Sequence, residues 1–314
     1  MIISQKTIER QTKILRAFIR DEVTDDYVYL DVPAYLNIGD FLIAMGAFRL
    51  LDELPYKCRY KSTFANYNPS HVPDNCIILM QGGGNFGDLY PGANWYRNEI
   101  VKTFPNHKII FLPQTITYKD TSLAKEDAEI LSKHNNLLIC ARDSVSYAFL
   151  QRYFPKNRHC LLPDTALGLY QVLPQQNIIR NKALLMQRRD EERVEDWDVQ
   201  GLVKDWDTIL EDIHLNRIYW VARVLRKLQK AGCSVGGLVE FCSNWYLMNV
   251  IYPYIQRNVP KYFLKFDKVY STRLHGLILC MLLHLDCEWK DTKYGKLSGY
   301  YNTWINSVHP LPAK

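Results

Sequence analysis

The sequence predicts an α/β protein of two lobes, each built on a parallel sheet, facing one another across a cleft. Three observations carry that expectation. Apolar runs of four to six residues recur without polar alternation, as in strands buried on both faces. Each run is followed by a stretch of helical apolar spacing, which is the strand–helix–strand rhythm of a parallel sheet. The rhythm pauses at a polar, proline-containing stretch, QVLPQQNIIRN (171–181), and then resumes. That pause divides the chain into residues 1–173, a doubly wound α/β domain, and 174–290, a smaller α/β domain. Residues 291–314 form a last helix and tail, free to pack back on the first domain.

The elements follow in order. MIISQKTIERQTKILRAFIRDE has the spacing of an amphipathic helix. Acids within it and the lack of a small-residue cleavage site separate it from a signal peptide. Its face of Ile14, Leu15, Arg16, Phe18, Ile19 and Arg20 is expected to pack on its own domain, with peripheral contact to the inner face of the cytoplasmic membrane as the alternative. YVYLDV, CIILMQ, KIIFLPQ, NLLICAR and HCLLPD read as strands, and FLIAMGAFRLLDEL, NWYRNEIVKTF, SLAKEDAEILSKH and DSVSYAFLQRYF as the helices between them. In the second lobe KALLMQ, KVYST and LDCEW are the strands. HLNRIYWVARVLRKLQKAG is a helix closed by lysines and a glycine. NWYLMNVIYPYIQR is a helix interrupted at Pro253, and KYGKLSGYYNTWI is the last. From Glu191 to Asp212 the chain is acidic and rich in tryptophan, with no regular pattern.

Composition bounds the partners. With 47% hydrophobic and 23% charged residues, this is an ordinary globular chain of 314 residues. No apolar run approaches the roughly 20 residues a membrane span needs, and a cytoplasmic location is expected. The net charge of +6 favours anionic partners, but its lysines and arginines are spread too evenly to suggest nucleic acid. Eight cysteines occur with no C-x-x-C pair, so buried free thiols are expected and no metal site.

In parallel sheets, ligands bind where strands end and helices begin. Four such junctions are rich in polar residues or glycine. NIGD supplies Asn37 and Asp40, which also suit a plain helix cap. GGGNFGD (Gly82–Asp88) spends backbone entropy on successive glycines, as a backbone closely approached by another group requires. Its amides, with Gly83, Gly84 and Asn85 central, suit phosphate or hydroxyl oxygens. It matches neither the dinucleotide nor the P-loop pattern. CARD ends a strand at Arg142, either facing the cleft or paired with Asp143 or Asp164. QRRDEE places Arg188 and Arg189 at a strand end, one expected in the cleft and the other in solvent. The fifth feature is STRLHGLILCMLLH, a buried helix with Arg273 and His275 at its mouth. Basic groups at a helix N-terminus oppose the dipole unless an anion is present. Residues two apart do not share a helix face. Arg273 and His275 can therefore meet one ligand only if Arg273 still lies in the turn.

Taken in order, NIGD, GGGNFGDLYP, LPQT, ARD, PDTAL, RRDEE, RLHG and DTKYGKLSGYYNTW resemble the motifs of the polysaccharide pyruvyl transferases across nearly the whole chain. One late position departs: the family's Asp-Asn is Asp291–Thr292 here. The resemblance implies two Rossmann-like lobes of the GT-B kind, with phosphoenolpyruvate as co-substrate and no cofactor or metal. The reaction it implies forms a pyruvate ketal across two sugar hydroxyls, the 4- and 6-hydroxyls of galactose being expected. The acceptor would be a bacterial surface polysaccharide (capsule or exopolysaccharide) or its precursor, free or linked to undecaprenyl diphosphate. On this reading His275 is the general acid, with Asp40 or Asp88 taking a hydroxyl proton. Arg273, Arg142, Arg188 and Lys296 hold the donor together with the glycine loop, and Asn37, Tyr90 and Trp95 meet the acceptor. The competing readings are a nucleotide-sugar glycosyltransferase on the same scaffold and a non-catalytic sugar-binding protein.

Overall fold

The computed structural model describes residues 1–173, 182–189, 193, 197–230, 237–291 and 293–306. Most of the expected linker (174–181), Thr292 and the tail from 307 lie outside the described residues. The first sheet contains β1 (Tyr27–Leu30), β2 (Cys58–Ser62), β3 (Ile77–Met80), β4 (Gly83–Gly87), β5 (Lys108–Thr117), β6 (Leu137–Ala141) and β7 (Arg158–Leu161). They run in the order β2-β1-β3-β5-β6-β7, with β4 paired to β5, and every pairing is parallel. The second sheet is parallel too, in the order β11-β10-β8-β9. Its strands are β8 (Ala183–Met186), β9 (Leu202–Lys204), β10 (Lys268–Ser271) and β11 (Asp286–Trp289).

The helices are α1 (Gln5–Glu22), α2 (Ile38–Leu51), α3 (Pro91–Thr103), α4 (Thr121–Leu131), α5 (Ser144–Tyr153), α6 (Trp206–Asp212), α7 (Leu215–Lys230), α8 (Leu238–Tyr246), α9 (Tyr252–Phe263), α10 (Leu274–Leu283) and α11 (Lys296–Trp304). The unbroken apolar runs of the first sheet are explained by burial on both faces. In β1, Tyr27 and Tyr29 enter one core while Val28 and Leu30 enter the other; β3, β5 and β6 divide in the same way. One of these cores is continuous with that of the second lobe, through α2, α9 and α10. The lobes therefore share apolar packing rather than touching only at a polar seam.

Three strands depart from the sequence expectation. CRYKS (β2) and LVK (β9) are edge strands whose half-exposed, charged composition carries no buried-strand signature. The glycine stretch is not an open loop. After a break at Gln81 and Gly82 it continues as β4 along the distal half of β5, which itself runs on through Pro113 to Thr117. The segment around Pro253 is helical throughout, because a π-turn over Leu247–Ile251 widens the backbone just before the proline, which then sits in the first turn of α9.

The N-terminal helix uses its apolar face internally: Ile8, Leu15 and Ile19 are buried, and Arg16 pairs with Glu53. Helix α11 packs back on the first lobe. Tyr300 Oη donates to Gln11 Oε1 (3.0 Å), Trp304 Nε1 to the Arg142 carbonyl (2.8 Å), and the Ser144 amide to Thr303 Oγ1 (2.9 Å). No described helix is long and apolar enough to cross a membrane.

Candidate active site

A cavity of about 630 Å³ lies between the lobes. It is lined at strand ends, as the parallel-sheet rule requires. Asp31 follows β1, Gly84 and Asn85 belong to β4, Arg142 follows β6, Arg188 follows β8, and Arg273 follows β10. The first turns of α2, α10 and α11 add Asp40, His275 and Lys296.

The mouth of α10 explains how Arg273 and His275 converge. Arg273 is the N-cap residue, with extended backbone (φ −114°, ψ 128°), so it remains in the turn while His275 enters the helix. Ser271 Oγ accepts from the Arg273 amide at 3.1 Å and fixes that turn. The Arg273 guanidinium forks onto Asp205, with Nη2 donating to Oδ2 at 2.6 Å and Nε to Oδ1. Asp205 is the N-cap of α6 and also accepts from the Arg189 amide at 3.1 Å. It does not line the cavity; it stands behind the arginine and orients it.

His275 is held from the first lobe. Its Nε2 lies 3.2 Å from Asp164 Oδ2, and its ring rests on the start of α2. A β-carbon at Gly39 would come within 2.5 Å of His275 Nδ1. The NIGD glycine is therefore needed for a second lobe's imidazole to approach the first lobe's helix.

Asp164 is fully buried and serves two basic side chains. Arg142 Nη1 donates to its Oδ2 at 2.8 Å, and Arg142 Nε donates to Thr115 Oγ1 at 2.7 Å. Burial alone would raise the Asp164 carboxyl. The charges of His275 and Arg142 beside it, with hydrogen bonds from His275 and the Ala166 amide, hold it well below the usual carboxylate range. The remaining guanidinium nitrogen of Arg142 lies 3.0 Å from where a Gly84 β-carbon would sit, and Lys296 Nζ lies 3.6 Å from the same point. Two cations, one at a strand end of the first lobe and one on α11, thus meet over Gly84. Both the cleft-facing and the Asp164-paired readings of Arg142 hold at once.

Two carboxyls face this cationic group. Asn37 caps α2 by accepting from the Gly39 amide and donates to Asp40 Oδ2 at 2.7 Å. Burial pushes the Asp40 carboxyl up, against the opposing pull of His275 and Arg142. Asp31 has a left-handed backbone (φ 64°), and burial pushes it up to about 6 in spite of Arg97.

Other expected residues are distributed as follows. Gly83 packs behind the cavity, with Asp40 Oδ1 at 3.4 Å from its β-position. Asn85 lines the cavity and is fixed from below by Arg97, which donates to its carbonyl (3.1 Å) and side chain. Tyr90 lines the cavity at the start of α3. Trp95 does not; it stands exposed beside Phe64, a residue of the rim. Asp88 is also outside. Its carboxylate accepts from the amides of Lys119 and Asp120 and pins the turn before α4, so the geometry gives it a structural task. Arg188 faces the cavity and Arg189 is exposed, as expected of that pair.

Sequence reasoning missed Asp31, Tyr35, Phe64 and Asp205. Asp31 ends a strand and so met the rule applied to the other junctions. Asp205 lay in the stretch without a pattern, where the start of α6 (DWDT) is the only local signal.

Fold and site together define a two-lobed α/β protein whose interlobe cavity gathers cations, a histidine and buried carboxyls. The comparisons give that class its family. A family model described as polysaccharide pyruvyl transferase matches residues 37–285, and the chain belongs to that family. It is therefore a transferase. It is 35% identical over 291 residues to the protein named "Putative pyruvyl transferase EpsO" of Bacillus subtilis (strain 168), covering 90% of this chain and 86% of the relative. It is 25% identical over 301 residues to "Pyruvyl transferase 1" of Schizosaccharomyces pombe, covering 87% and 68%. The crystal structure of a functionally uncharacterised Klebsiella pneumoniae protein has the same fold, with a TM-score of 0.55, 18% identity and 93% of both chains covered.

Proposed function

We propose that this chain transfers the pyruvyl group of phosphoenolpyruvate to two hydroxyls of a sugar, closing a cyclic ketal on a bacterial surface polysaccharide or its lipid-linked precursor. The observation that carries this reading is the meeting of Arg142 and Lys296 over Gly84 beside His275, with one carboxylate, Asp164, tying His275 and Arg142 together. A donor with a phosphate and a carboxylate needs several fixed cations, and guanidinium groups suit both. Arg142 and Lys296 form one such pair; Arg273 and Arg188 line the opposite wall.

The chemistry follows from these positions. His275 gives its proton to the methylene carbon of the donor, making a methyl group and an oxocarbenium-like centre at the adjacent carbon. The contact from His275 to Asp164 is the longest around that carboxylate, and it is the one a bound donor would replace. The first sugar hydroxyl adds to the cationic carbon and loses its proton. The bond to phosphate then breaks, phosphate departs, and the second hydroxyl adds and loses its proton. One released proton restores His275 and the other leaves with phosphate. A general acid placed in this way is worth roughly 10²–10⁴ in rate. Asp40 and Asp31 are the bases for the hydroxyls. Raised carboxyls are the direction that a base working near neutrality requires. Tyr35, Phe64 and Tyr90 offer ring faces to the acceptor at the rim.

The test is phosphate release from phosphoenolpyruvate over a panel of galactose- and mannose-terminated acceptors, with mass spectrometry of the glycan. The reading expects phosphate and pyruvylated glycan in equal amounts with at least one acceptor. Thermal stabilisation by a UDP-sugar and none by phosphoenolpyruvate would instead favour glycosyl transfer.

A further inference from the structure

Helices α7 and α8 carry apolar side chains that nothing among the described residues covers. On α7, Trp220 (63% exposed) and Leu228 (41%) lie two turns apart with the half-exposed Val224 between them, opposite the buried Leu215, Tyr219 and Ala222. On α8, Leu238 (59%), Phe241 (66%) and Trp245 (53%) recur at i, i+3 and i+7, opposite the buried Ser243. The two helices pack on one another, with Tyr246 Oη donating to the Ile218 carbonyl at 2.9 Å. Single exposed apolar residues are ordinary, but two helical stripes on adjoining helices are not.

The charge on α7 has one sign. From Leu215 to Leu228 the chain holds Arg217, Arg223, Arg226 and Lys227 and no acid. Arg217, Arg223 and Lys227 are exposed, whereas Arg226 is turned onto Tyr219. The acid of α8, Glu240, is half-buried. Tryptophan and phenylalanine beside lysine and arginine are the composition of a helix surface that lies in a lipid headgroup layer. The surface also adjoins the cavity. Asn244, the neighbour of Trp245, accepts from Asn66 Nδ2 at 2.9 Å, and Asn66 ends the short turn that begins with the rim residue Phe64.

We infer that the outer faces of α7 and α8 dock the protein on an anionic lipid bilayer, beside the mouth of the interlobe cavity. This moves the membrane contact away from α1, whose apolar face is consumed by its own lobe. The inference is independent of the reaction proposed above.

The test is co-sedimentation of the full chain with vesicles of equal phosphatidylglycerol and phosphatidylcholine, against phosphatidylcholine alone. The protein is expected to bind the anionic vesicles and shift Trp fluorescence to the blue. The triple change Trp220→Ser, Phe241→Ser and Trp245→Ser should weaken binding about tenfold or more, with turnover of a soluble acceptor unchanged. Arg217→Gln, Arg223→Gln and Lys227→Gln together should do likewise, and raised salt should weaken the wild type. This second variant keeps the test decisive if the first fails to fold. No binding to anionic vesicles, or binding that survives both variants, overturns the inference. So does light scattering that shows the stripes joining two copies of the chain while vesicles are ignored.

Discussion

Asp164 concentrates the site's electrostatics in one side chain. It is fully buried and holds Arg142 and His275 from opposite lobes. Asp164→Asn leaves Arg142 without its counter-charge, and removal of one member of a buried pair costs about 3–5 kcal/mol. Turnover should fall about 10²-fold or more. The folded carboxyl titrates below its unfolded value of 3.8, so its stabilisation is complete above about pH 4 and is lost as pH falls through the folded value. Denaturant titration should therefore separate wild type from variant at pH 7 and bring them progressively closer as pH falls below about 4. Asp31 behaves with the opposite sign. Its carboxyl is raised to about 6, so ionisation costs stability as pH rises from about 4 to 6. Asp31→Asn, which tolerates the left-handed backbone, should raise the unfolding free energy at pH 7.5 but not at pH 4, by on the order of 1 kcal/mol. The same variant should lose the rise in rate between about pH 5 and 7 that a base of this kind gives. At this scale the sequence was most legible where a cation stood at a strand end. Arg142, Arg273 and His275 needed only that rule. Asp164 was one of two partners expected for Arg142, but the counter-ions of Arg273 and His275 were not legible, because Asp205 lies 68 residues from Arg273 and Asp164 lies 111 from His275. Only the fold brings those pairs together.

Among elements, the approach of α10 to α2 sets the distance between lobes. Gly39→Ala should gain the helix preference of alanine, about 1 kcal/mol, yet push the His275 ring away from the start of α2. The expected outcome is a protein that melts within a few degrees of wild type and turns over about tenfold or more slowly. An unchanged kcat would show that His275 does not need that seat. Helix α11 makes a parallel case. Trp304 is buried and donates to the carbonyl of Arg142, so Trp304→Ala should cost about 3–5 kcal/mol and loosen the helix that carries Lys296. A rise in KM for the donor larger than the fall in kcat is expected. The central strands and most helices could be read from apolar periodicity, since burial on both faces leaves a direct mark. β2 and β9 could not, because an edge strand of half-exposed residues resembles a loop. β4 was hidden by its own glycines. Their tight spacing serves Arg142 and the backbone of Pro113, so the close approach inferred from composition was real, with groups of the protein itself as the neighbours.

For the whole molecule, a cleft between lobes was expected, but a core running through both was not. Because α2, α9 and α10 join the first sheet's core to the second's, the lobes should unfold together. Calorimetry is expected to show one transition, with van't Hoff and calorimetric enthalpies equal. Two separated transitions would contradict the shared core. The fold also explains why the site is where it is. Strand ends of both sheets open toward one space, and the first lobe supplies the carboxylate and the seat that hold the second lobe's His275. The account rests on that space being where phosphoenolpyruvate gains a proton from His275. The most direct measurement is phosphate release by His275→Ala at saturating phosphoenolpyruvate and acceptor, with donor affinity followed by calorimetry. The account predicts donor binding within about threefold of wild type and turnover lower by roughly 10² or more. Turnover close to wild type in that variant would contradict it.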